Sequence, residues 1–188
     1  MCADEIVAQI LANLSSTDHL PRKHASFWNF VRKGPKEIGV FTEAMQRISD
    51  DLPSPITEWR LVMEDPPDIE FTSGLEKVGV EITELVNSKA LKAQLNGSIN
   101  YSLELLGYSI EDAKAQIAQI VKDKENKIRR NIHRYNAAAL LIHTDEPMLT
   151  SEMFQDYRLS ETSEVYKWVY LLFSYEPARN ECPLIRLQ

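Results

Sequence analysis

Two carboxylates in the stretch 66–84, PPDIEFTSGLEKVGVEITE, have the types and spacing to hold a hard cation. Two prolines, Pro66 and Pro67, force the chain entering Asp68 to be extended. If 67–71 is a strand, Asp68 and Glu70 share one face, while Ile69 and Phe71 share the other. In KVGVEIT, residues 77–83, the residues Val78, Val80 and Ile82 face one side, and Lys77, Gly79, Glu81 and Thr83 face the other. Each strand then has an apolar face and a polar face, and the acids fall on the polar one. Carboxylates on adjacent strands give a divalent cation such as magnesium its oxygen ligands and leave positions open for water and phosphate.

The elements around this stretch set how the acids are held. Residues 3–14 read as a short helix with Ile6, Val7, Ile10, Leu11 and Leu14 on one stripe, and 24–33 as another. Pro35 suits the first turn of a helix over 35–50, whose stripe is Ile38, Phe41, Met45 and Ile48. ITEWRLVMED is a strand, and TSGLE is the turn between the two acid-bearing strands. Residues 84–107 are helical with a turn near Asn96-Gly97. Ser109 is placed as an N-cap, with Asp112 closing an acidic capping box, for a long helix over 110–134. A buried strand over 137–143, a short helix near 151–157 and two strands joined by a turn at 176–182 complete the chain. This order predicts an α/β fold, with a mixed central β-sheet of about five or six strands flanked by helices. The crossover from Glu81 to Leu140 is expected to be right-handed.

Composition bounds the function. The 188 residues are 44% hydrophobic and 26% charged, which fits a single domain. Residues 1–34 form a helical N-terminal extension, 35–145 the core, and 146–188 a helix and strand pair. A net charge of −7 does not draw nucleic acid to the surface as a whole, so such a partner needs a local basic face. The dense run KIRRNIHR at 127–134 is the one candidate. Cys2 and Cys182 sit near opposite ends, which suggests no disulfide and a reducing compartment. The N-terminus lacks a basic secretory region, and no apolar run nears the ~18 residues of a membrane span. A cytoplasmic protein without membrane contact is expected.

A proline–aspartate step, a short turn and a strand ending in an acid resemble the pattern of the PD-(D/E)xK nuclease superfamily. Pro67-Asp68 matches the first half and Glu81-Ile82-Thr83 the second. A preceding helix, a three-strand meander, a following helix and the next strand match the order of its restriction-endonuclease-like core. The resemblance spans residues 35–145. It implies metal-dependent phosphodiester hydrolysis, with Asp68 and Glu81 holding Mg2+ or Mn2+. Thr83 stands where the family has its lysine, and it carries no charge to polarise water or to face phosphate. The long helix offers a replacement. Lys124 interrupts the stripe of Ile117, Ile120/Val121, Ile128, Ile132 and Tyr135, and a lysine there needs a partner. The resemblance makes Asp68, Glu81, Thr83 and Lys124 the catalytic set, since family members relocate this lysine. Lys127, Arg129 and Arg130 become contacts to a nucleic-acid backbone. Glu37 or Glu43 is a candidate extra carboxylate from the first long helix.

The alternative is a catalytically inactive nuclease-fold module with a binding or regulatory role. The acidic net charge and Thr83 favour it. Such a module would pair with a protein partner, or with a second copy as a homodimer, through Tyr166, Trp168 and Tyr170 alternating on one strand face. His143, Asp145 and Glu146 form a second metal-type trio, for which a turn after a strand is the plainer account.

Overall fold

Neighbours in sequence are neighbours in space across one open six-stranded sheet, in the order β1 to β6. The strands are β1 (Ile56–Leu61), β2 (Ile69–Ser73), β3 (Glu76–Glu84), β4 (Ala137–Thr144), β5 (Tyr166–Phe173) and β6 (Leu184–Arg186). β1, β2 and β3 make an antiparallel meander, β3, β4 and β5 run parallel, and β6 returns antiparallel. The helices are α1 (Lys33–Asp51), α2 (Ser88–Leu95), α3 (Tyr101–Leu106) and α4 (Ile110–Ile128). This computed structural model describes residues 33–63, 66–96 and 101–188, so the helices expected over 3–14 and 24–33 lie outside the described residues.

Local chemistry explains the element ends. Ser73 pairs with Glu76, so Gly74 and Leu75 alone turn the β2–β3 hairpin, and Gly74 has a φ of 60° that other residues resist. Asn87 accepts the N–H groups of Lys89 and Ala90 and so opens α2. Ser109 and Asp112 form the expected capping box at the start of α4. That helix is shorter than its periodicity suggests, because it ends at Ile128 instead of continuing to 134. Asn131 turns its side chain to the Pro66 carbonyl at 2.6 Å, and Asn136 accepts the Lys77 N–H at 2.8 Å. These two amides draw the chain down to the start of β4, with only a 3-10 turn at Ile132–Arg134 between.

Each face of the sheet has its own core. On one, α1 packs Val40, Phe41, Ala44 and Ile48 against Ile69, Phe71, Val78, Val80, Ile82, Leu141, Trp168 and Tyr170. On the other, α4 packs Ala113, Ile117, Val121 and Ile128 against Ala138, Leu140, Ile142, Tyr166, Val169 and Leu171. All eight residues of β4 are buried, as a strand covered on both faces requires. Two expected stripes need correction. In α1, Ile38 is exposed and Met45 only partly buried; the helix is rolled so that Phe41 meets Trp59 and Phe71 at 5.2 and 6.1 Å. In β5, Tyr166 does not share a face with Trp168 and Tyr170. The β4–β5 register shifts between Ala138 and Ala139, so one extra residue turns Tyr166 to the α4 side. All three rings are buried, so these strands present no aromatic surface to a partner. Among the described residues, no helix is long and apolar enough to cross a membrane.

Candidate functional site

The acids meet where the meander frays. Pro67 has no N–H to give to the ladder. Asp68 therefore becomes a junction: its N–H reaches Val80 O at 3.0 Å, and its carbonyl accepts Val62 N at 2.8 Å. Its carboxylate Oδ2 accepts the Ile82 N–H at 2.7 Å. The register Ile69↔Val80 carries Asp68 level with Glu81. Both acids are buried, Glu81 with 1% of its surface exposed.

Lys124 reaches this pair. It lies one turn beyond Val121 and one turn before Ile128 on the buried side of α4, and its Nζ is 2.5 Å from Glu81 Oε1. The ammonium ends on a buried charge. Glu81 from β3 and Lys124 from α4 are thus bonded, level with Asp68 at the residue before β2.

Gly79, one step back on the same face as Glu81, makes room for the neighbouring layer. A side chain there would come within 3.1 Å of Pro67 and 3.2 Å of the Tyr135 ring. Tyr135 lies against this glycine and donates to Glu70 Oε2 at 3.1 Å. Arg60 Nε and Lys77 Nζ hold the same carboxylate at 2.6 and 3.0 Å. Burial alone raises the Glu70 carboxyl, but the bonds from Lys77, Arg60 and Tyr135 outweigh it and hold the group below its ordinary value. A depressed folded value means the contribution is complete above the ordinary 4.5 and is lost as pH falls below it. Glu70→Gln is therefore expected to cost about 1 kcal/mol at pH 7, with the gap to the parent closing toward pH 3, in urea titrations. An unchanged gap across that range would mean that Glu70 carries no net charge-dependent stability.

The other candidates divide. Thr83 is half-buried and falls two residues beyond Glu81 on the same strand. Lys127, Arg129 and Arg130 are exposed near the end of α4, and Arg129 is countered by Glu125 and Glu164 at 3.8 and 3.7 Å. Glu43 faces away and pairs with Arg47 at 3.6 Å. Glu37 is buried on α1, beside Lys36. Burial lowers the Lys36 ammonium, and Glu84 and Glu37 partly restore it. Glu84 alternates with Val80 and Ile82, so these acids belong to the α1 face and not to that of Glu81. Glu146 Oε1 accepts the Asn87 N–H at 2.5 Å, giving it a structural task at the loop after β3.

Among the described residues, no group of three or more His, Cys, Asp or Glu could hold a metal ion. The site has two carboxylates, which is the number that magnesium takes from protein when water and phosphate complete its shell. Ile82 N–H and Lys124 each engage one oxygen of an acid. These bonds fix the direction of each carboxylate. Hard carboxylate oxygens are the donor type that such a cation takes. Sequence reading missed the set around Glu70 and the placement of Tyr166. The signal for the first was present, because Glu70 shares the Asp68 face and Lys77 the Glu81 face. Comparison with family models, with curated proteins and with solved structures finds no significant match for this chain.

Proposed function

We propose that this chain is a divergent metal-dependent nuclease of the PD-(D/E)xK type that hydrolyses phosphodiester bonds in nucleic acid. The observation that carries this reading is the 2.5 Å contact between Lys124 Nζ and Glu81 Oε1. A lysine from α4 stands beside the acid pair, in place of the charge that Thr83 lacks. The order of α1, the β1–β3 meander, the helical crossover through α4 and parallel β4 supports a restriction-endonuclease-like core. The setting proposed is a cytoplasmic, single-domain protein.

Asp68 and Glu81 would hold Mg2+ or Mn2+, which supplies Lewis acidity and an activated water when bound. Ile82 N–H fixes the direction of the Asp68 carboxylate. Lys124 carries its positive charge through the apolar layer to the point where a phosphate's charge grows during hydrolysis. Thr83 adds a hydroxyl on the same strand, and exposed Lys127, Arg129 and Arg130 provide backbone contacts to the nucleic acid. The test is cleavage of single- and double-stranded DNA and RNA in Mg2+, in Mn2+ and in chelator. Cleavage is expected only with metal, and Glu81→Gln is expected to reduce it at least about a hundredfold. Equal cleavage by Glu81→Gln would sink the reading.

A second reading is a catalytically inactive binding or regulatory module. What favours it is that both acids already perform structural tasks, Asp68 for Ile82 and Glu81 for Lys124. Such a module shows no calorimetric response to Mn2+.

A further inference from the structure

Tyr166 is among the largest fully buried side chains, with 1% of its surface exposed. Its hydroxyl has no hydrogen-bond partner among the described residues. A buried phenol normally finds one, so an orphan calls for a reason. The sheet registers Gly79↔Ala138 and Ala138↔Tyr166 set Tyr166 two strands from the residue that shares the Glu81 face, and three further observations bear on the reason. First, the shift between Ala138 and Ala139 aims the ring to the α4 side, away from Trp168 and Tyr170. Bulges of this kind re-aim side chains and concentrate near active sites. Second, the entry to β5 is fastened to α4 beside Lys124. Ser163 Oγ accepts the N–H groups of Val165 and Tyr166 at 3.1 and 2.8 Å and itself donates to Glu125. Third, burial raises the hydroxyl's proton affinity, and the charges that raise it further are Glu81, Glu125 and Asp68, in that order. The phenol stays protonated and so keeps a hydrogen bond to donate.

We propose that Tyr166 is a positioning residue of the Asp68–Glu81 site, whose hydroxyl donates to the Glu81 carboxylate and holds it in place when Lys124 turns to a bound phosphate. This rests on the nuclease reading above. A donor to a metal-binding carboxylate fixes its orientation and sharpens its affinity. With Lys124 on Glu81, the hydroxyl is unmatched and weakens the fold. Loss of the hydroxyl should then move stability and metal affinity in opposite directions, which a ring that merely fills the core would not do.

The experiment compares the full chain, Tyr166→Phe and Asp68→Asn by Mn2+ calorimetry and by thermal melting without metal. Tyr166→Phe is expected to melt about 2–4 °C higher and to bind Mn2+ about tenfold more weakly. Asp68→Asn is expected to lose binding. If Tyr166→Phe binds like the parent while Asp68→Asn does not bind, the role of Tyr166 is overturned and the nuclease reading stands. If Tyr166→Phe melts lower, the hydroxyl is already matched in the fold and the role is overturned as well. If parent and Asp68→Asn titrate alike, the metal-site reading fails and the role of Tyr166 falls with it.

Discussion

Lys124→Met is expected to destabilise the chain by about 3–5 kcal/mol, because it takes away a cation bonded to the buried Glu81 charge. Glu81 sits in β3 with the parallel strand β4 beside it, and 1% of its surface reaches solvent. Methionine keeps the length of the lysine stem and its packing along α4, so the loss reports on the charge and not on a cavity. The double variant Glu81→Gln with Lys124→Met should recover most of the stability, since it removes the buried charge together with its bonded cation. Urea titrations of the four proteins close the cycle. A single variant within about 1 kcal/mol of the parent would mean that the pair is no more than a surface contact.

Asp68 is expected to separate fold from chemistry. Asp68→Asn keeps an oxygen for the Ile82 N–H, now bonded at 2.7 Å, while removing the negative charge. Its stability should stay within about 1 kcal/mol of the parent. Metal-dependent cleavage should fall by about a thousandfold, equivalent to roughly 4 kcal/mol of transition-state stabilisation. Asp68→Ala adds a structural cost of about 1–3 kcal/mol, because the Ile82 amide at the frayed end of the ladder loses its acceptor. An Asp68→Asn protein that is folded and cleaves like the parent would remove Asp68 from the site. A protein in which both substitutions cost only stability would mark the aspartate as a strand cap.

Alternation carried the sequence reading furthest. The faces of β2 and β3 follow from the period of two, so the shared side of Asp68 and Glu81 was visible in 66–84. Ser109 and Asp112 announced the start of α4, and Lys124 on its apolar stripe announced a buried partner. The end of α4 was hidden, because the helical period runs through Ile132 while two asparagine side chains, distant in sequence from Pro66 and Lys77, redirect the backbone. The roll of α1 was hidden for a similar reason. Its stripe allows several faces, and the position of Phe41 against two rings of the meander selects one. In the set around Glu70, strand alternation carries the Lys77 partner, while Arg60 and Tyr135 come from segments that no local spacing ties to it. Tyr166 was read on the wrong face because alternation assumes an unbroken ladder.

That break in the ladder also bears on how this chain can change over time. Loop length is ordinarily the most tolerant property of a fold. Between Ser163, tied to α4, and Trp168, packed against α1, it is not. Removing one residue between Ser163 and Tyr166 would leave every other side chain chemically intact, yet with Ser163 and Trp168 both held, Lys167 would stand opposite Ala138 in place of Tyr166. In this segment the count of residues is itself a constraint, and an insertion or deletion should be tolerated less well than a substitution.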